Sequence, residues 1–139
     1  MTEDITFANH VDRPIDPAQV RRLYRTVAWG HGRDDEGILS AIDEAVAVGA
    51  WDGDRLVGFT RALSDGRYRA YVEDVMIDPD YRGRKIGERM VAALVDQLAE
   101  IEIVSLFCEP ERVAFYGRNG FEAHRTQVMM HRTSDGDVS

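Results

Sequence analysis

Tyr81-Arg82-Gly83-Arg84-Lys85-Ile86-Gly87 is a basic, glycine-punctuated turn that leads straight into a helical stripe of Ile86, Met90, Ala93, Leu94, Leu98 and Ile101. Unpaired backbone N–H groups at a helix start, together with the positive end of the helix dipole, form a seat for an anion such as a pyrophosphate. Glycine lets the main chain come close to it. Arg82, Arg84, Lys85 and Arg89 crowd this turn in a chain of formal net charge -8, and Lys85 is the only lysine. An acidic protein with one local cationic knot points to a specific anionic ligand rather than to general affinity for nucleic acid.

Outward from the turn, the hydrophobic period changes in both directions. Tyr68–Ile77 alternates as a strand and is stopped by Asp78-Pro79, and Ser64-Asp65-Gly66 joins it to Leu56–Leu63. The Asp52-Gly53 turn joins that strand to Ala45–Trp51, so three consecutive antiparallel strands are expected. Further upstream, Ile5–Asn9 reads as a first strand. Asp16-Pro17-Ala18-Gln19 reads as a helix start, followed by Val20, Leu23, Tyr24 and Val27 on one face. Ile38–Ala45 is a shorter helix after the Gly-rich, acidic loop Trp29–Gly37. Downstream, Ile103–Phe107 is a short apolar strand, expected parallel to the strand before the turn. A last helix over Pro110–Arg118, a stop at Gly120 and a final strand over Phe121–His131 complete the pattern.

The 139 residues, 44% hydrophobic, suit one domain, set at 1–132, with a polar, flexible tail at 133–139. No apolar run is long enough to span a membrane, and Met1-Thr2-Glu3-Asp4 does not open a signal peptide, so a cytoplasmic protein is expected. Cys108 stands alone, which excludes an internal disulfide. His10, His31, His124 and His131 lack metal-ligand spacing, so no metal is expected. The acidic excess opposes nucleic-acid backbones and favours cationic small molecules.

Three features at fitting spacing carry a resemblance. They are the strand Glu73-Asp74-Val75-Met76-Ile77, the turn itself, and Ala114-Phe115-Tyr116 followed by Asn119-Gly120-Phe121. The set resembles the GNAT superfamily of acetyl-CoA-dependent N-acetyltransferases, in element order over nearly the whole chain and in motif detail over residues 70 to 131. The resemblance implies an α/β fold: a mixed, mostly antiparallel sheet with a central splayed parallel strand pair, flanked by helices. It also implies acetyl-CoA as cosubstrate, held by the main chain of Val75, Met76 and Ile77 and by Arg82, Gly83, Arg84, Lys85, Ile86 and Gly87. In the family turn, [QR]-x-x-G-x-[GA], Arg82 and Gly87 match the ends, while Lys85 takes the place of the inner glycine. Where the family often has Asn against the pantetheine arm, this chain has Glu109.

By the same resemblance, Tyr116 is the acid that protonates the departing thiolate. From ordinary pKa values that transfer is uphill by about 2 kcal/mol, so positioning decides whether it succeeds. The acceptor amine must be neutral, and for an alkylamine at pH 7 deprotonation costs about 4.6 kcal/mol. Tyr71-Val72-Glu73-Asp74 is similar to a Y-x-E-D arrangement in polyamine-type members. It makes Glu73 the base or an amine-binding carboxylate, with a structural partner for an arginine as the alternative. Strand alternation puts Glu73 on the face of Val75 and Ile77 and Asp74 on the other, in a structural hydrogen bond. Tyr24, Trp29, Tyr71 and Glu73 are the expected acceptor-side residues. Asp34, Asp35 and Glu36 read as a solvated run and Cys108 as a buried one.

The resulting expectation is transfer of an acetyl group to a primary amine of a small molecule, most like arylalkylamine or polyamine members, with no nucleic-acid or membrane partner. A homodimer is compatible with the superfamily. The alternatives are acetylation of a protein lysine or N-terminus, and a non-catalytic acyl-CoA-binding domain.

Overall fold

The computed structural model describes residues 4–134, and residues 135–139 of the expected tail lie outside the described residues. Five strands form one sheet in the order β1 (Ile5–Asn9), β2 (Val46–Asp52), β3 (Arg55–Ser64), β4 (Arg69–Ile77) and β5 (Ile103–Leu106). The first four are antiparallel, and β4 and β5 run parallel. Helices α1 (Pro17–Tyr24) and α2 (Asp35–Asp43) cover one face. Helix α3 (Ile86–Gln97) covers the other, and the short α4 (Val113–Gly117) follows β5.

Local chemistry accounts for the helix starts. Asp16 accepts from the Ala18 N–H at 2.9 Å and Pro17 opens α1, as its sequence predicts. Asp34 caps α2 through the Gly37 N–H at 2.8 Å, and Asp35 pairs with Arg21 at 2.5 Å. Two of the three consecutive acids therefore start and anchor a helix, which begins three residues earlier than its apolar spacing suggests.

Alternation along the strands sorts the core into two layers. Val48, Ala50, Val57 and Val72 meet Ile86, Met90 and Leu94 of α3. Ala47, Trp51, Leu56, Phe59 and Met76 meet Val20, Leu23, Ile38 and Ile42 of α1 and α2. Each fully buried Val, Leu, Ile, Phe or Met side chain among these contributes about 1.5–3 kcal/mol. Gly58 permits the close approach where α3 crosses the sheet, because a Cβ there would stand 2.9 Å from both Ile77 and Met90 and force their side chains to shift.

Three expectations need correction. Phe121–His131 forms no strand. Its apolar residues bunch at Val128, Met129 and Met130 instead of alternating, and among the described residues it pairs with no strand, so no ladder rewards its extension. As a result the β4–β5 pair lies at the edge of the described sheet rather than at its centre. Alternation also breaks within β4. Arg61 pairs with Asp74 while the next residue, Ala62, pairs with Val72, so Glu73 is an extra residue in a β-bulge. Val72 and Val75 consequently both face the α3 layer, and counting by twos no longer assigns Glu73 to the side of Val75 and Ile77.

Candidate active site

The parallel pairing of β4 and β5 runs from Arg69 with Ile103 to Val72 with Leu106 and then stops. Beyond it, Asp74–Ile77 stays paired with β3 only, and the side of β4 that faced β5 opens. The opening is a groove of about 960 Å³. Glu73, Val75, Met76 and Ile77 line its β4 wall. Arg82, Gly83, Lys85, Ile86 and Gly87 line the end where α3 begins, and Tyr116 lines the wall contributed by α4.

The start of α3 is open for a physical reason. Its N-cap is Lys85, which makes no side-chain capping hydrogen bond, so the first-turn N–H groups lack the usual side-chain acceptor. Asp78 fixes the approach to this turn. Its carboxylate is 3% exposed and accepts from Arg22 at 3.0 Å, Arg55 at 2.9 Å and the Asp80 N–H at 3.0 Å. Burial opposes its charge, but these donors outweigh burial and hold its pKa below the ordinary aspartate value. Gly83 takes φ +82°. Lys85 takes φ +61° and is the non-glycine residue with positive φ among those described, which explains why glycine suits this place in related turns.

A lysine side chain in that conformation costs about 1–2 kcal/mol. Lys85→Gly is therefore expected to stabilise the ligand-free protein by about 0.5–1 kcal/mol after the added chain entropy of glycine. It is also expected to weaken binding of a phosphate-bearing ligand, because a cation leaves the groove. Thermal melts with and without acetyl-CoA check both parts; tighter binding would mark the lysine as an obstacle.

Tyr116 is 9% exposed and sits among Phe115 and Phe121, with ring centroids 4.9 and 6.2 Å away. Its hydroxyl meets no hydrogen-bond partner among the described residues. Burial first, and Cys108 next, raise its pKa above the ordinary tyrosine value against a lowering by Arg112, so the hydroxyl stays protonated at neutral pH.

The residues expected on the acceptor side are only partly gathered. Trp29 lines the groove together with Thr26 and Val27. Tyr24 does not line it: Tyr24 is 3% exposed and donates its hydroxyl to Asp74 at 2.6 Å, and burial followed by the Asp74 charge raises its pKa to about 12. Tyr71 also stands outside the lining. It packs on Phe107 at 5.3 Å, and burial followed by the neighbouring Glu73 raises its pKa to about 12. Arg84 turns back from the groove, its guanidinium 4.9 Å above the Tyr81 ring and bonded to the Asp80 carbonyl at 3.1 Å.

Cys108 is exposed, not buried: β5 ends before it at Leu106, and among the described residues no further strand pairs with the outer edge of β5. It lines the groove with Phe107 and Glu109, the residue that stands in the family's Asn position. Arg112 and Arg118 also line it and carry no sequence signal beyond lying within a turn of Tyr116. Among the described residues no group of three or more His, Cys, Asp or Glu is placed to hold a metal ion.

The model of the acetyltransferase (GNAT) family matches residues 16–121. An uncharacterized N-acetyltransferase, ycf52, of Pyropia yezoensis is 45% identical over 69 residues, covering 48% of this chain and 40% of that protein. Histone acetyltransferase TAP1 of Glycine max is 38% identical over 50% of this chain and 31% of its own length. Serotonin N-acetyltransferase 2, chloroplastic, of Oryza sativa is 31% identical over 77% and 56%. The chain thus spans less than two thirds of the length of these relatives. Among solved structures, a GNAT family acetyltransferase of Streptococcus pneumoniae superposes with a TM-score of 0.74 at 26% identity, covering 93% of this chain and 99% of that one.

Proposed function

Because the chain belongs to the acetyltransferase (GNAT) family, we propose that it moves the acetyl group of acetyl-CoA directly to a primary amine of a small molecule. One observation carries this: beyond Val72, where β4 parts from β5, a helix start with no side-chain cap and a tyrosine whose hydroxyl has no partner among the described residues line a single groove. Acetyl-CoA fits that donor set. The main chain of Val75–Ile77 has lost its β5 neighbour and can pair with the extended pantetheine arm as a strand would. The first turn of α3, with Arg82 and Lys85, suits the pyrophosphate.

In the proposed reaction Glu73 takes a proton from the ammonium of the acceptor, directly or through water. The amine nitrogen then forms a bond to the acetyl carbon, and main-chain N–H groups of β4 stabilise the oxyanion that develops. The carbon–sulfur bond breaks, Tyr116 gives its proton to the thiolate, and the remaining surplus proton on the amide nitrogen passes through water to restore the Tyr116 hydroxyl. The bulge at Glu73 supports this role, since it frees that residue from strict alternation and leaves it in the groove.

Cys108 provides a direct check of groove occupancy. Alkylation of this single, exposed thiol is expected to slow by about tenfold in saturating acetyl-CoA, as bound ligand covers it. Equal rates with and without ligand would place acetyl-CoA elsewhere.

A second reading, transfer to a protein lysine, is favoured by the name of the soybean relative, as the small-molecule reading is by the name of the rice one. Mass detection of acetylated product over small primary amines and lysine peptides separates the two, and acetylation of small amines alone is expected. A cytoplasmic location and a homodimer belong to the same proposal. The open outer edge of β5 and the exposed Val128 and Met130 support the second of these.

A further inference from the structure

Asp74 is fully buried, yet it is a carboxylate, and donors from three other parts of the fold converge on it. Tyr24 at the end of α1 donates its hydroxyl to Oδ2 at 2.6 Å. Arg61 of β3 donates Nε to the same oxygen at 2.8 Å. Trp29, in the loop between α1 and α2, donates its indole N–H to Oδ1 at 2.8 Å. Arg33 of that loop reinforces the set by donating to the Tyr24 hydroxyl at 2.8 Å, with its guanidinium 3.8 Å from Asp74.

The consequence lies in Trp29. Its ring is 43% exposed and lines the groove, while its N–H is fixed to the chain's interior. Loops of this kind are ordinarily the mobile part of a site. Here a loop tryptophan is tied to the strand residue next to Glu73, so the wall on which an acceptor would lie and the carboxylate that would receive its proton share one anchor. A carboxylate with no exposure that accepts from three groups is poorly placed to take a proton from substrate itself.

We infer that Asp74 is a positioning residue for acceptor recognition, acting through the indole N–H of Trp29 to fix the acceptor wall of the groove relative to Glu73. This rests on the acetyl-transfer reading above. The acceptor it suits is an amine with an apolar or flat skeleton to lie on the indole and a cationic end near Glu73.

A double-mutant cycle tests it. Trp29→Phe keeps an aromatic ring while removing the N–H donor and part of the ring area, and Asp74→Asn weakens the anchor without touching the ring. Each is expected to raise the acceptor KM about tenfold, the worth of one hydrogen bond to a buried charge, with the KM for acetyl-CoA unchanged. In the Trp29→Phe background, Asp74→Asn should add nothing further to the acceptor KM, although both variants still lower the melting temperature. Independent, additive effects on the acceptor KM would overturn the inference.

Tryptophan emission supplies an arm that needs no turnover. Trp51 is 3% exposed, so a red shift in Asp74→Asn that is absent in the double variant reports release of Trp29. An unshifted spectrum overturns the positioning role even if activity falls. If the wild type acetylates no amine but the red shift occurs, the acetyl-transfer reading fails while the anchor stands.

Discussion

Tyr116→Phe is expected to lower kcat by about 10²–10⁴-fold, the usual contribution of a positioned general acid, while the KM for acetyl-CoA moves by less than about threefold. The asymmetry follows from the surroundings of the side chain. The ring is held by Phe115 and Phe121, and phenylalanine keeps both of those packings. The hydroxyl has no partner among the described residues, so its removal strands no buried donor or acceptor. Stability should therefore stay within about 0.5 kcal/mol of the wild type.

Burial raises the Tyr116 pKa, which makes its proton harder to give than that of an ordinary phenol and shifts the work to placement against the sulfur. The same shift fixes a pH dependence. The donor is lost only as pH rises through the raised pKa, so the alkaline limb contributed by Tyr116 lies above pH 10 and vanishes in the phenylalanine variant. Steady-state kinetics with acetyl-CoA and acceptor varied in turn gives the split; equal losses in kcat and in cofactor affinity would reassign Tyr116 to packing.

The largest expected effect on stability is at Asp78. Asp78→Ala removes a carboxylate that holds two arginines and caps the turn before α3, leaving Arg22 and Arg55 without their shared counter-ion. Breaking a buried pair in this way costs about 3–5 kcal/mol. The value expected here is at the low end, since Arg55 is half exposed and Arg22 keeps the Leu56 carbonyl. Because the folded-state pKa of Asp78 is depressed, its contribution is complete above the ordinary aspartate range and is lost as pH falls through the lower, folded value. Chemical denaturation at neutral and acidic pH checks this: the gap between wild type and Asp78→Ala should narrow as pH falls. A gap independent of pH would mean that packing, not charge, does the holding. Loss of the cap also loosens the approach to the phosphate end of the groove, so acetyl-CoA affinity should fall alongside stability.

What could be read from the chain in advance was mostly local. The cap at Asp16, the glycine-rich entry to α3 and the stripe from Ile86 to Leu98 each depend on neighbours within a few residues, and each folds as its sequence predicts. Lys85 in a glycine's place was legible too, although its positive φ is seen only in the structure. The misses share a different cause. The bulge at Glu73 is set by the register of β4 against Arg61 and Ala62, and no property of residues 71–74 alone announces it. Trp29 and Asp74 meet across 45 positions, so the link between an acceptor-side loop and the strand beside Glu73 stays hidden until the sheet is assembled. Arg84 carries the same charge as its neighbours, but packing on Tyr81 turns it out of the groove. Phe121–His131 has strand-forming residues at its ends, yet among the described residues it pairs with no strand and leaves the outer edge of β5 open, since pairing is a property of two segments.

Release of free thiol from acetyl-CoA, followed over a panel of primary amines, tests acetyl transfer most directly. The predicted result is thiol release that requires the amine, saturates with it and falls by about 10²-fold or more in Tyr116→Phe. Tight binding of acetyl-CoA with no amine-dependent thiol release would contradict it, and would make the chain an acyl-CoA-binding domain without the transfer chemistry.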